Sequence, residues 1–163
     1  LSIRRQRQMC IRDRYYNARN VIGKGPRYNN PDKDITGLGK QFIIFNHDAL
    51  EMYRSVFICE GALNALTIGD RAIATMGKAI SQYQVNELLK SQCQRYIILL
   101  DPDARSYAVN LALKLVAYKK VKVVFLPEGF DVNDLGKKQT LKLVYQTRYQ
   151  SYQELIQIRN SLE

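Results

Sequence analysis

The chain has a single histidine, His47, and three scattered cysteines, Cys10, Cys59 and Cys93, with no C-x-x-C pair. A structural zinc site takes four Cys or His ligands, so no zinc is expected here. Three isolated thiols do not make a disulfide framework, which points to a reduced, cytoplasmic setting. No apolar run approaches the ~18–20 residues needed to span a bilayer, and no basic-then-apolar leader opens the chain. A membrane partner is therefore not expected. The first residue is Leu rather than Met, which suggests a fragment.

What is present is ordinary globular material. The 163 residues are 46% hydrophobic and 25% charged, enough for one packed domain. The formal charge is +10, and a disproportionate part of it lies at the start. Residues 1–14 carry five arginines without apolar periodicity, and Met9-Cys-Ile-Arg-Asp-Arg14 looks like a translated transposon end carried over from a sequencing library. We expect this stretch to be disordered and outside the fold; the other reading is a basic arm that touches nucleic acid. Without its five Arg and one Asp the charge is +6, compatible with a polyanionic partner but no proof of one.

Residues 15–40 are polar and punctuated by Gly23, Gly25, Pro26, Pro31, Gly37 and Gly39, which predicts irregular or short-stranded structure. Residues 41–46 read as a short strand and 49–53 as a helical turn. A regular alternation then begins. The run 56–59 suits a central strand, 61–68 a helix and 72–74 a short strand. Ser81 and Gln84 have capping-box spacing and open a helix to about Leu89. Residues 96–100 form a second apolar strand, followed by a helix over 106–118 with Ala108, Leu111, Ala112, Leu115 and Val116 on one face. Residues 121–126 make a third strand, and 141–145 and 155–162 read as surface helices. This alternation predicts an α/β fold with a largely parallel sheet and flanking helices. Ligands of such sheets gather at the carboxyl ends of the strands.

The acids fall at those ends. Glu60 follows 56–59, Asp101 and Asp103 follow 96–100, and Asp131 and Asp134 come a short Pro/Gly turn after 121–126. If the strands are parallel, all five share one sheet edge. Crowded carboxylates repel one another, more strongly as the local dielectric falls, and a cation relieves that conflict. Oxygen donors without imidazole or thiolate point to Mg²⁺ or Mn²⁺. Taken singly, Asp103 could be a helix cap, Glu60 a solvated strand end, and Asp131 and Asp134 a turn pair.

Glu60-Gly61, Asp101-x-Asp103 and Leu126-Pro127-x-Gly129-x-Asp131, each after an apolar strand, together resemble the Toprim domain of bacterial-type primases, topoisomerases and nucleases. Ala74-Thr75-Met76-Gly77 resembles the primase segment between the Glu and the Asp pair. Upstream, Pro26-Arg27-Tyr28-Asn29-Asn30-Pro31 is similar to the Pro-Lys-Tyr-Leu-Asn-Ser-Pro element of bacterial-type primases, and Gly39-Lys40 to the Lys-Gly that follows it there. The resemblance implies a division into 15–54, part of the basic N-terminal subdomain, 55–136, the Toprim domain, and 137–163, a helical segment. It implies Glu60, Asp101 and Asp103 as catalytic and metal-binding acids, with Asp131 and Asp134 completing the cluster. Arg27, Tyr28, Asn30, Lys40 and Lys78 would contact template, primer or nucleotide. Two kinds of position depart from the family pattern: Asn64 and Asn133 stand where many primases carry acids, and Pro102 and Ser106 replace usual glycines.

The implied function is synthesis of short RNA primers on single-stranded DNA from ribonucleoside triphosphates, with a replicative helicase as partner, in a bacterial cell or phage-infected host. The alternatives are a Toprim nuclease, which would need no nucleotide-entry element, and a non-catalytic module that binds single-stranded DNA. His47 reads as a surface residue and Cys59 as a packing residue. Tyr145, Tyr149 and Tyr152 read as surface or packing residues.

Overall fold

The computed structural model describes residues 39–162 and the backbone of two short strands before them. The chain divides into two compact units, 1–43 and 44–163. In the first, β1 (Ala18–Arg19) pairs antiparallel with β2 (Tyr28–Asn29), and Lys40–Phe42 form a 3₁₀ turn.

The second unit holds β3 (Ser55–Cys59), β4 (Ala72–Ala74), β5 (Arg95–Leu99) and β6 (Lys120–Val123) in one sheet of order β4-β3-β5-β6. All three pairings are parallel. The helices are α1 (Ala49–Met52), α2 (Ala62–Ile68), α3 (Gln82–Lys90), α4 (Arg105–Leu115), α5 (Val132–Gln146) and α6 (Tyr152–Leu162).

Side chains alternate across a strand, and here both faces are covered. Val56, Ile58, Tyr96, Ile98, Val121 and Val123 face one core with Leu50, Leu88, Leu115 and Leu155 of the helices. Cys59, Ile97 and Leu99 face the other, with Ala65 and Ile68 of α2 and Val132 and Val144 of α5. Two buried faces explain why β5 reads as an unbroken apolar run, Tyr96 to Leu99 all being buried. Each fully buried aliphatic residue contributes about 1.5–3 kcal/mol, so this strand anchors the loops that follow it.

Two local features refine the sequence reading. The strand expected over 41–46 is reduced to a single antiparallel bridge between Phe45 and Ala74. Asn46 ends it at φ 55°, a left-handed value Asn tolerates, and its amide donates to the carbonyls of Asp70 and Ala72, both at 2.9 Å. The helix expected over 141–145 begins far earlier, at Val132, and bends at Gly136, whose φ of 71° and ψ of 164° are not helical. Glycine accepts that conformation without a Cβ penalty.

Candidate metal and nucleotide site

The sheet order decides which strand ends meet. From β3 the chain crosses to β4 on one side, and β5 then lies on the other side of β3. The crevice between β3 and β5 is thus the topological switch point, where ligands of open α/β sheets bind. Cys59 is in register with Leu99. Glu60 and Asp101, one and two residues beyond that pair, therefore leave adjacent central strands at the same edge.

Asp101 occupies the N-cap position of a 3₁₀ turn, Pro102–Ala104, without a capping hydrogen bond from its side chain. The N-cap of α4 is Ala104, so Asp103 is not the cap of that helix. The carboxylate of Asp101 instead accepts a 3.1 Å hydrogen bond from the side-chain amide of Asn64. Asn64 is buried, and its oxygen accepts the backbone N–H of Asn133 at 3.3 Å. The Asn133 side chain in turn accepts the Thr67 hydroxyl at 3.0 Å. One amide thus ties the end of β5 to the start of α5. A carboxylate at 64 could accept from Asn133 but could not donate to Asp101.

The turn after β4 brings in the cation. Thr75 N–H donates to the carbonyl of Cys59 at 3.1 Å and Gly77 N–H to that of Glu60 at 3.2 Å. The buried Gln84 amide holds the Thr75 carbonyl at 2.9 Å. Between them Met76 adopts φ 62°, a left-handed conformation that costs roughly 1–2 kcal/mol for an ordinary L residue. These ties place Lys78 with its ammonium 2.9 Å from Asp103. The Asp103 hydrogen bond and charge raise the Lys78 pKa, and the charge of Glu60 adds to the effect. On the interior side, burial and then the charge of Asp101 push the Cys59 thiol well above its usual range.

Asp131 and Asp134 engage each other. Asp131 accepts Asp134 N–H at 2.7 Å and Asp134 accepts Asp131 N–H at 3.1 Å, a reciprocal capping box at the start of α5. Arg105, the first residue of α4, reaches the segment after β6: it donates to the Leu126 carbonyl at 3.4 Å and pairs with Glu128 at 3.3 Å. Of the residues expected to touch nucleic acid, Lys40 is exposed in its 3₁₀ turn. Tyr28 contributes backbone to β2, and Arg27 and Asn30 lie outside the described residues.

Among the described residues, no three His, Cys, Asp or Glu side chains are gathered closely enough to enclose a metal ion. The donor chemistry nevertheless fits a hard cation. Glu60, Asp101 and Asp103 offer carboxylate oxygens, Cys59 is held as a neutral buried thiol, and the Lys78 ammonium already lies where positive charge is favoured.

The chain is 29% identical over 138 residues to the DNA primase of Aquifex aeolicus (strain VF5), a match covering 76% of this chain and 28% of the relative. Its structure is similar to the E. coli primase catalytic core, with a TM-score of 0.69 at 21% identity over 91% of this chain and 51% of that one. The fold is that of a primase catalytic core. A primase catalytic domain bound to single-stranded DNA is also similar, with a TM-score of 0.66 at 21% identity, covering 83% of this chain and 48% of that one. No family model matches the chain. The primase likeness drawn from Glu60-Gly61, Asp101-x-Asp103 and the Pro26–Pro31 element is therefore borne out, while the chain spans well under a third of its Aquifex relative. Within this primase-like core, residue patterns alone did not disclose the ties made by Asn64 or the Lys78–Asp103 pair. The departure at Asn64, an amide where many primases carry an acid, was the signal that could have pointed to the first of them, since an amide can donate to a carboxylate as an acid cannot.

Proposed function

We propose that this chain is the catalytic part of a DNA primase that makes short RNA primers on single-stranded DNA. The observation that carries the reading is the placement of Glu60 and Asp101 just beyond the carboxyl ends of adjacent parallel strands, at the switch point of a primase-core fold. In this reading Glu60, Asp101 and Asp103 hold Mg²⁺ or Mn²⁺, and Asp131 and Asp134 add negative charge at the same edge. Such ions orient a triphosphate, lower the pKa of an attacking hydroxyl and stabilise the charge of the transferring phosphoryl group.

The chain's own groups supply the rest. Asn64 fixes the orientation of Asp101 through its 3.1 Å hydrogen bond. Lys78 neutralises the acids before substrate enters and then serves as a phosphate contact, since an ammonium on a flexible stem can move between carboxylate and phosphate. Arg27, Tyr28, Asn30 and Lys40 are assigned to template or nucleotide. Ribonucleoside triphosphates are the substrates, a replicative helicase the partner and the cytoplasm the setting. No helix of the described residues is long and apolar enough to cross a membrane.

The test is primer synthesis on single-stranded DNA by the chain within its full-length protein, with Mg²⁺ or Mn²⁺ added or chelated. Glu60→Gln and Asp101→Asn are each expected to abolish incorporation of labelled nucleotide while circular dichroism stays unchanged. Incorporation retained by both variants would refute the assignment. Metal-dependent cleavage of DNA without incorporation would turn it to a nuclease.

A further inference from the structure

At the opposite end of the sheet lies a cleft of about 620 Å³ that the catalytic reading does not use. It is built where three adjacent parallel strands begin: Arg54 precedes β3, Gln94 precedes β5 and Arg95 opens it, and Lys119 precedes β6 and Lys120 opens it. Backbone bonds fix these starts, with Gln94 and Arg95 N–H donating to the Arg54 carbonyl at 3.0 and 3.1 Å and Lys120 N–H to that of Gln94 at 3.0 Å. The lining has four cations and no acid. None of the four is paired with a carboxylate among the described residues.

Arg95 and Lys120 are direct cross-strand partners in the β5–β6 register. Like charges placed directly opposite destabilise a sheet by a few tenths to about 1 kcal/mol, and no neighbouring acid in the cleft offsets that. Lys119 alone is structurally engaged, its ammonium donating to the carbonyls of Ser91 and Cys93 at 2.8 Å each. The turn that follows α4 lines the cleft with Val116, Ala117 and Tyr118, and the helix dipole brings only about half a negative charge, far less than the four cations. Tyr118 is 76% exposed and offers a ring face at the rim.

We infer that this cleft binds the sugar-phosphate backbone of single-stranded DNA, with Arg54, Arg95 and Lys120 on phosphates and Tyr118 stacking an unpaired base. An acidic protein surface would satisfy the cations but leave the exposed ring without a role, whereas base stacking on aromatic side chains is a general device of single-strand binding. The inference rests on the single-stranded template of the proposed function, yet it concerns the edge of the sheet remote from Glu60 and Asp101.

The experiment is fluorescence anisotropy of a labelled oligothymidylate titrated with the protein across a salt series in EDTA, so that catalysis does not enter. Combined Arg54→Glu, Arg95→Glu and Lys120→Glu substitution should weaken binding at least ~10-fold and flatten the slope of log K against log salt by about 2, near 0.7 for each phosphate no longer neutralised. Tyr118→Ala should weaken binding without altering that slope. Arg95→Gln, which removes the Arg95–Lys120 repulsion, should leave the thermal midpoint equal or higher while still weakening binding, so a folding defect does not mimic the effect. Binding within twofold of the parent for both the triple variant and Arg95→Gln would overturn the inference. So would equally tight binding of duplex DNA with no effect of Tyr118→Ala. A protein that makes no primers but loses strand binding in these variants sinks the proposed function alone; one that makes primers but binds regardless of them sinks this inference alone.

Discussion

Replacing Asn64 with Asp tests the wiring of the acidic edge most directly. The amide nitrogen of Asn64 is 3.1 Å from the Asp101 carboxylate, and the substitution exchanges that donor for a second negative charge. A hydrogen bond to a charged group contributes about 1.5–3 kcal/mol. Two like charges about 4 Å apart repel by about 1 kcal/mol in water and about 4 kcal/mol at an effective dielectric of 20. Asn64 is buried and Asp101 half-buried, so the combined cost should be roughly 3–5 kcal/mol without metal. For a unit of 120 residues, that lowers the thermal midpoint by roughly 10–20 °C. Asn64→Ala is the control: it also removes the acceptor used by Asn133, costs about 1–3 kcal/mol, and adds no charge. The assay is thermal unfolding followed by circular dichroism in EDTA and again in excess Mn²⁺. A ligand at ~100 times its dissociation constant stabilises the native state by about 2.7 kcal/mol. The Asp variant should therefore recover more of its lost stability on adding Mn²⁺ than the Ala variant does. Equal losses for the two variants, unaltered by Mn²⁺, would refute the view that position 64 faces a cation-binding carboxylate.

Three further outcomes are expected of the same structure. Tyr96 is fully buried, and its hydroxyl lies 2.7 Å from both the Leu88 carbonyl and the Ser91 hydroxyl; Tyr96→Phe should cost about 1–2 kcal/mol in urea unfolding with an unchanged m value. Burial holds the Cys59 and Cys93 thiols above their ordinary pKa, so both should resist iodoacetamide at neutral pH in the native protein and react in urea, as read by peptide mass spectrometry. At position 131, Asn should cap α5 nearly as well as Asp, whereas Ala should lose about 1 kcal/mol. Asp131→Asn therefore isolates the carboxylate charge: a loss of primer synthesis at unchanged stability assigns Asp131 to the metal edge, and retained synthesis removes it.

The sequence was most informative where the controlling physics is local. Ser81 and Gln84 announced a capping box, and the structure forms both of its hydrogen bonds. The apolar runs of β3 and β5 announced buried strands because a strand covered on both faces has no polar side to show, whereas β6 alternates Lys120-Val121-Lys122-Val123 and buries only its valines. Glu60 and Asp101 announced strand ends because a carboxylate placed one residue earlier, at Cys59 or Leu100, would be inside the core. Local reading faltered where a distant partner decides the outcome. Residues 41–46 looked like a strand, but only Phe45 finds a ladder partner, at Ala74. Asp131 and Asp134 looked like loop acids, but a helix starting at Val132 turns them into its cap.

The alternation of strands and helices, the two-faced core and the carboxylates after the central strands were all legible in the amino-acid order. Periodicity, burial and capping act within a few residues, so those features are written in the chain. Long-range packing was needed to put β5 beside β3 rather than beyond β4, and with it to make Glu60 and Asp101 share a crevice. Packing also set Asn64 against Asp101, Lys78 against Asp103 and Arg95 opposite Lys120. These pairs are separated by 25 residues or more. Their meeting depends on how two helical layers pack onto the sheet, a free-energy balance summed over the whole core that no single stretch of sequence contains.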